Sequence, residues 1–296
     1  MKIISVGTCK GGVGKTAIST NIAAMLAKEG SRVLYVDSDP QCNATEAFGI
    51  SLITEEGRPS FKESETVCAL FMPGLKTIKD IVLKPEDERG YLYEEIPTLH
   101  AIPGSMALMY TERNLITGLA SGNPAYAESE VLRNNLITIF KEIEDNYDYL
   151  FFDTNTYFSQ VNENIFAIVD TFLSVCDPSF EGLMGTMTFS GMWTRTAEEL
   201  GKEVDFNAGI IFNRYRSNTN LSKKIYQVLK GENLSESEKI LYGEFSEFFI
   251  DCPISESVKF GEASYISRPI CLIPEAYKVR GELENLIEAL KEKELL

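Results

Sequence analysis

Short apolar runs alternate along the chain with longer stretches in which apolar residues recur at helical spacing. Most of the runs are almost continuously apolar, which is typical of strands in a parallel sheet that helices cover on both faces. We predict strands at Lys2–Val6, Arg32–Val36, Leu99–Ile102, Asp148–Phe152, Thr171–Cys176, Ala208–Phe212 and Ile270–Ile273. The pattern therefore predicts an α/β fold with a doubly wound, mostly parallel sheet and helices on both faces.

The segment between the first two predicted strands has the pattern of an amphipathic helix. Its apolar residues recur at helical spacing, at Ile18, Ile22, Met25 and Leu26. Gly30 follows where a C-terminal cap belongs, so a helix is predicted over residues 15–29, with its apolar stripe packed on the sheet.

The length of 296 residues is sufficient for one large α/β domain with a sizeable core. Residues 51–98 are polar and irregular, and we interpret them as a surface excursion within a single domain of residues 1–296. No apolar run approaches the roughly 18 residues that a membrane span needs, and the first residues lack the apolar core of a secretory signal. We therefore expect a cytoplasmic protein.

The charge balance limits which partners the surface can attract. The chain has 28 basic and 44 acidic residues, for a net charge of −16, so any affinity for DNA or an anionic membrane must be local. Six scattered cysteines form no CxxC pair, and structural thiols are favoured over a zinc site. The single histidine, His100, lies in the apolar stretch TLHAI and is interpreted as a packed strand residue.

The segment CKGGVGKT follows a predicted strand and precedes a predicted helix, as in a P-loop. Its glycines allow backbone N–H groups to point at phosphate oxygens, and the helix N-terminus adds partial positive charge there. Lys15 is expected to pair with the β- and γ-phosphates, and the Thr16 hydroxyl to bind Mg²⁺. The predicted binding residues for ATP or ADP are Gly11, Gly12, Val13, Gly14, Lys15, Thr16 and Ala17.

This loop departs from the ordinary Walker pattern, because Cys9 stands at the first glycine position and Lys10 precedes Lys15 by five residues. The KGGxGK[ST] form resembles the deviant Walker A family that includes ParA, Soj, MinD and the nitrogenase iron protein. The resemblance implies a homodimer in the ATP state, in which Lys10 reaches across the interface and contributes to catalysis at the partner's nucleotide. From the residues alone, the alternative is a solvated loop lysine.

A second cluster, VDSDPQCNAT, follows the second predicted strand and is similar to the ParA stretch D-x-D-P-Q-x-N-A-T. The similarity implies that Asp39 orients the attacking water and that Asp37 supports the magnesium shell from the strand end. Phosphoryl transfer depends mainly on positioning and charge neutralisation, which carboxylates supply. The alternative is a turn that is merely rich in Asp, Pro and Asn.

The apolar strand YDYLFFDT ends in Asp153, the Walker B position for holding Mg²⁺. ParA proteins usually continue DTPP, whereas this chain has Asn155 and Thr156 in place of the two prolines. Without them, the loop is expected to be less stiff.

The resemblance extends over almost the whole chain. AIPGS at 101–105 is similar to the family's IPAS, CDPSFEGL at 176–183 to its VQPxxxxxEGL, and residues 254–274 to its closing region. IFNRY at 211–215 resembles the adenine-contacting N-R segment. The resemblance implies that Asn213 reads adenine and that Pro274 lines the base pocket.

One stretch is consistent with DNA partition. Residues 206–231 contain no acidic residue but several cations, namely Arg214, Arg216, Lys223, Lys224 and Lys230. On an ATP dimer these side chains would form a stripe that contacts DNA phosphates without reading sequence. The alternative is a helix face that is merely solvated.

The resemblance implies a slow, Mg²⁺-dependent ATPase for plasmid or chromosome partition, stimulated by a centromere-binding ParB-like protein. The alternative function is a positioning or regulatory ATPase that acts through a protein partner without DNA. Acidic residues outnumber basic ones in the closing stretch VRGELENLIEALKEKELL, so no membrane-binding helix is expected. Because the first predicted strand begins at Lys2, we also expect no N-terminal helix-turn-helix segment.

Overall fold

The computed structural model describes residues 1–72, 75, 77–85, 93–120, 129–199, 208–243 and 245–296, with backbone alone at 119–120 and 129–134. The strands are β1 Lys2–Gly7, β2 Val33–Ser38, β3 Leu99–Ile102, β4 Tyr149–Thr154, β5 Thr171–Cys176, β6 Ala208–Phe212 and β7 Phe249–Ile250. They form one sheet of seven parallel strands in the order β3-β2-β4-β1-β5-β6-β7. The predicted doubly wound α/β fold is confirmed.

Helices connect the strands and cover both faces of the sheet. In the described parts of the chain they are α1 Lys15–Lys28, α2 Asn43–Ala47, α3 Leu108–Ala120, α4 Ser129–Lys141, α5 Gln160–Phe166, α6 Phe180–Glu199, α7 Asn220–Leu229, α8 Glu236–Tyr242, α9 Phe245–Phe248, α10 Val258–Tyr265 and α11 Tyr277–Glu292. Short 3-10 turns lie at Glu63–Glu65, Val67–Phe71, Ile78–Asp80, Glu144–Asn146, Ile270–Leu272 and Pro274–Ala276.

Alternate residues of the central strands enter two separate cores. In β2, Val33 and Tyr35 pack with α1 and α11, whereas Leu34 and Val36 pack on the opposite face with α3 and α5. Because both faces are buried, both sets of alternating positions are apolar. This arrangement explains the continuous hydrophobic runs of the sequence.

The predicted first helix is observed as α1. Gly30 adopts a φ of 100° just beyond it, and the backbone N–H of Ser31 bonds to the carbonyl of Leu26, which closes the helix end. Helix α1 is buried on nearly all sides, because it lies under the C-terminal segment as well as on the sheet.

The predicted strand Ile270–Ile273 is wrong. The segment forms the 3-10 turn Ile270–Leu272, and its backbone groups bond to side chains of α1 instead of a neighbouring strand. The Ile270 N–H donates to Asn21 Oδ1 at 2.6 Å, and Lys28 Nζ donates to the Cys271 carbonyl at 2.6 Å. The seventh strand is instead the two-residue β7, which pairs with β6.

The closing helix α11 packs its apolar stripe into the core beside α1. Among the described residues, no helix is both long enough and apolar enough to cross a bilayer. His100 lies in β3, where its Nδ1 forms a 2.7 Å hydrogen bond with the Tyr147 hydroxyl.

Strand β1 is the point at which the direction of winding reverses. The chain builds β2, β3 and β4 on one side of β1 and then β5, β6 and β7 on the other. Ligands of open α/β sheets bind in the crevice at the carboxyl ends of the strands where the order reverses. The loop between β1 and α1 lies at this point.

Candidate functional site

The loop between β1 and α1 leaves a ring of unsatisfied donors at the start of a long helix. Gly12 and Gly14 have φ of 79° and 90°, values that strain any residue with a Cβ. No side chain caps α1, and its first turn contains no acidic residue. The backbone N–H groups at this helix end are therefore free to bind an anion.

Asn213 fixes this loop from below. Its Nδ2 donates to the Val13 carbonyl at 2.8 Å, and a Cβ at Gly14 would lie 2.3 Å from the same nitrogen. Asn213 is buried and its Oδ1 accepts no hydrogen bond from the described residues. In this structure the side chain supports the phosphate loop from the end of β6.

Lys15 lies at the centre of a buried charge cluster. Its ammonium contacts Asp153 Oδ1 and lies 3.7 Å from Asp39 Oδ2, while the Thr16 hydroxyl donates to Asp153 Oδ2 at 2.7 Å. Lys15 is 6% exposed and Asp153 is fully buried. The structure thus brings together the predicted phosphate lysine, the predicted metal ligands Thr16 and Asp153, and the predicted water-orienting carboxylate.

Asp37 is adjacent to Asp153 in register on the neighbouring strand β2. Burial, followed by the charge of Asp153, raises the pKa of Asp37 to about 7, and burial also raises the pKa of Asp153. Three carboxylates around one ammonium leave an excess of negative charge, which a divalent cation fits.

One oxygen of Asp37 is already engaged. Its Oδ2 accepts bonds from the Thr45 N–H at 2.8 Å and the Thr45 hydroxyl at 2.6 Å. A Cβ at Gly104 would lie 2.9 Å from the same carboxyl group. Asp37 therefore ties α2 to the sheet, whereas Thr16 and Asp153 supply the directly apposed oxygen atoms for Mg²⁺.

Within the described residues, no group of three or more His, Cys, Asp or Glu side chains is arranged to hold a metal by itself. This fits a magnesium ion that is bound mainly by water and substrate phosphates, with few protein ligands.

Polar contacts hold the loop after β4 where ParA proteins have prolines. Asn162 Nδ2 donates to Asn155 Oδ1 at 2.8 Å and to the Tyr157 carbonyl at 2.9 Å, and Asn155 Nδ2 donates to Ser159 Oγ at 3.2 Å. The Tyr157 hydroxyl bonds to Glu112 on α3 at 3.1 Å. The sequence suggested a less stiff loop, but it did not reveal this network.

An open cleft of about 2030 Å³ surrounds the phosphate loop. One wall consists of Asp39, α2 and residues 49–66, while the opposite wall includes Arg214, Phe260, Tyr265 and Pro269. Neither Asn213 nor the exposed Pro274 lines the cleft.

The described base-side wall therefore offers Phe260 as an aromatic surface and Arg214 as a polar one. Sequence reasoning missed Phe260, whose only signal is an apolar residue within the predicted closing region.

Lys10 is held by its own chain. Its Nζ lies 3.0 Å from both carboxylate oxygens of Asp177 and 2.6 Å from Ser179 Oγ. Sequence reasoning did not select Asp177, because nothing in the local pattern links it to a lysine 167 positions away.

The predicted DNA-binding cations lie among acidic residues from other segments. Residues 206–207 of the acid-free stretch lie outside the described residues. Arg216 pairs with Glu256, Lys224 with Glu238, and Lys230 with Glu232 and Asp251. Arg214 also lowers the pKa of the Glu256 carboxyl. In the described part of the chain, only Lys223 of the five has no acidic partner.

A family described as an AAA domain matches residues 1–206. The chain is a ParA/MinD-family P-loop ATPase. Soj of Bacillus subtilis, a sporulation initiation inhibitor, is 25% identical over 230 residues, which cover 77% of this chain and 79% of Soj. The cell division protein PomZ of Myxococcus xanthus is 26% identical over 282 residues, which cover 94% of this chain and 74% of PomZ.

Among solved structures, a plasmid partition protein of Borrelia burgdorferi bound to AMPPNP superposes with a TM-score of 0.66 at 20% identity. The match covers 99% of each chain. At this identity the likeness is one of fold. It accords with a sheet and a phosphate loop that are arranged as in nucleotide-binding relatives.

Proposed function

We propose that this ParA/MinD-family ATPase binds Mg-ATP at Lys15 and Thr16, hydrolyses it slowly, and dimerises in its ATP state as a partition or positioning switch. The observation that carries the proposal is the buried cluster of Lys15, Thr16, Asp39 and Asp153 at the mouth of an uncapped helix. A lysine, a hydroxyl and two carboxylates at a phosphate loop are the groups that phosphoryl transfer needs.

In this mechanism Lys15 transfers its hydrogen bonds from Asp153 to the phosphates, which carry more negative charge. The N–H groups of residues 11–17 bind the remaining phosphate oxygens. Asp39 orients a water molecule for in-line attack. Thr16 and Asp153 hold Mg²⁺, which neutralises phosphate charge when it is bound.

Two features support an ATP-dependent homodimer. The cleft volume of about 2030 Å³ exceeds the roughly 300–1,000 Å³ typical of small-molecule sites, so one nucleotide would leave much of it open. Large apolar side chains beside the cleft are also exposed, namely Met106, Met109, Tyr110, Tyr157 and Phe158. A second subunit that covers this surface would exclude water from the reacting phosphates.

We propose that the ATP dimer binds DNA non-specifically and moves plasmid or chromosome cargo, with a centromere-binding ParB-like protein stimulating hydrolysis. Similarity to Soj and to a plasmid partition protein supports this function. Lys223 is the cation best placed to contact phosphate, because it is exposed and no acidic partner lies beside it among the described residues.

The second candidate is a positioning switch that acts through a protein partner without DNA. The ion pairs of Arg216, Lys224 and Lys230 favour it, because cations that are already neutralised release few counterions from DNA. ATP-dependent binding to random-sequence DNA at several salt concentrations separates the two candidates.

The ATP site itself is tested by Lys15→Ala. Loss of the phosphate-facing ammonium should weaken Mg-ATP binding by about 100-fold, since two charge-assisted hydrogen bonds are lost. Calorimetric titration measures the affinity, and thermal melts confirm folding. The exposed Lys79→Ala variant is the control, and unchanged affinity in Lys15→Ala would overturn the site assignment.

A further inference from the structure

The lysine that is expected to act on a partner's nucleotide is engaged within its own subunit. Lys10 Nζ contacts both Asp177 oxygens at 3.0 Å and Ser179 Oγ at 2.6 Å. The side chains of Lys10 and Asp177 are only 26% and 15% exposed. An ammonium with three acceptors in a half-buried setting is held more firmly than a surface lysine in a single ion pair.

The surrounding backbone fits this arrangement closely. Ser179 Oγ donates to Asp177 Oδ1 at 2.6 Å and accepts the Gly182 N–H at 2.9 Å, which fixes the hydroxyl between carboxylate and helix. A Cβ at Gly182 would lie 2.1 Å from Asp177 Oδ1, so only glycine leaves room for the carboxylate in this position.

A second glycine of α6 brings the Lys10 backbone to the same place. The Cys9 N–H donates to the Gly185 carbonyl at 3.2 Å, and a Cβ at Gly185 would lie 3.0 Å from Lys10 Cβ. The first turn and a half of α6 therefore accommodates both partners of the ion pair.

We propose that Asp177, assisted by Ser179, is a positioning residue that holds Lys10 in its own subunit and releases it when an ATP-bound partner docks. This inference rests on the proposed ATP dimer. Lys10 cannot contact the partner's phosphates while its three acceptors are the Asp177 oxygens and Ser179. Dimer formation therefore includes an exchange of carboxylate for phosphate, and the half-buried Asp177 is left without its cation.

Dimerisation of hydrolysis-blocked protein tests this exchange. Asp39→Ala and Asp39→Ala/Asp177→Asn are compared with Mg-ATP across a range of protein concentrations in analytical ultracentrifugation. The near-isosteric amide holds Lys10 less tightly, so half-maximal dimerisation should need about tenfold less protein, as for one charge-assisted hydrogen bond. Asp39→Ala/Asp80→Asn, altered at an exposed carboxylate, is the matched control and should resemble the parent.

The outcomes separate the two proposals. If Asp39→Ala remains monomeric with ATP, the proposed dimer switch is overturned. If it dimerises and Asp177→Asn leaves the concentration dependence unchanged, only the role of Asp177 is overturned.

Lysine labelling tests the ion pair without any dimer. In nucleotide-free protein, an amine-reactive reagent followed by mass spectrometry should modify Lys10 more slowly than the exposed Lys223. Asp177→Asn and the milder Ser179→Ala should both accelerate Lys10 labelling and leave Lys223 unchanged. Equal rates at Lys10 in the parent and both variants would show that the carboxylate does not restrain the lysine.

Discussion

The phosphate site and the basic segment, residues 208–231, are both charged regions with clear sequence signals, but folding treats them differently. At the phosphate site, Lys15 and Asp153 converge from distant parts of the chain and are almost completely buried. In the basic segment, Arg216 and Lys224 remain exposed and are paired with acids outside the segment. A glycine loop specifies its own backbone, whereas the field around a surface cation depends on which segments fold beside it.

The largest expected effect tests the buried side of this comparison. Asp39→Ala should retain Mg-ATP binding but hydrolyse it about 100-fold more slowly, because the attacking water loses its orienting carboxylate while the phosphate loop stays intact. Phosphate release measures the rate, and light scattering should report a trapped dimer. A variant that hydrolyses ATP at the parental rate would remove Asp39 from the mechanism.

A smaller effect sharpens the exposed side. Lys223→Ala should weaken DNA binding by the ATP state and lower the slope of log affinity against log salt by roughly 0.9, the value for one phosphate contact. Arg216→Ala should change the slope less, since Glu256 already neutralises that cation. Glu256→Gln should strengthen binding by freeing Arg216.

Fluorescence anisotropy with random-sequence duplexes at several salt concentrations measures all three variants. Equal losses for Lys223→Ala and Arg216→Ala would mean that the Glu256 ion pair does not limit contact with phosphate. An ATP-loaded parent that ignores DNA at low salt would favour the switch that acts through a protein partner.

The smallest effect is a pH dependence of the nucleotide-free protein. Burial and the charge of Asp153 raise the pKa of Asp37 to about 7. The folded state therefore binds this proton more tightly than the unfolded chain, and the associated stability is present at low pH and lost as pH rises through about 7. Asp37→Asn can keep its oxygen bonded to Thr45 without the charge.

Melting temperatures in EDTA should show Asp37→Asn to be more stable than the parent at pH 8 by about 2–4 °C, and by less at pH 5. The exposed Asp80→Asn variant should show no such trend. A constant difference across this range would mean that Asp37 does not titrate there.

Most of the fold could be predicted from hydrophobic pattern, because a sheet buried on both faces makes its strands apolar throughout. Thr171–Cys176 and Ala208–Phe212 were predicted at their observed limits. Ile270–Ile273 has the same pattern but lies where Asn21 and Lys28 of α1 satisfy its backbone, so it forms a turn. Apolarity reports burial and does not report which groups complete the hydrogen bonds.

The phosphate loop could likewise be predicted, since its glycine spacing dictates the local backbone. The acceptors of Lys10 could not, because Asp177 reaches that lysine only after β5 has been placed beside β1. The position of Asn213 beneath the loop and of Phe260 on the cleft wall depends on the same long-range packing.

The contact between Lys15 and Asp153 has a consequence for the exchange of nucleotide. An arriving triphosphate must displace a carboxylate that already satisfies the ammonium, so the gain in binding energy is the difference between two ion pairs. When the product leaves, the carboxylate takes the lysine back and the vacated pocket is not an unbalanced charge. Such a pocket favours moderate affinity and short residence, which let one subunit be reloaded repeatedly.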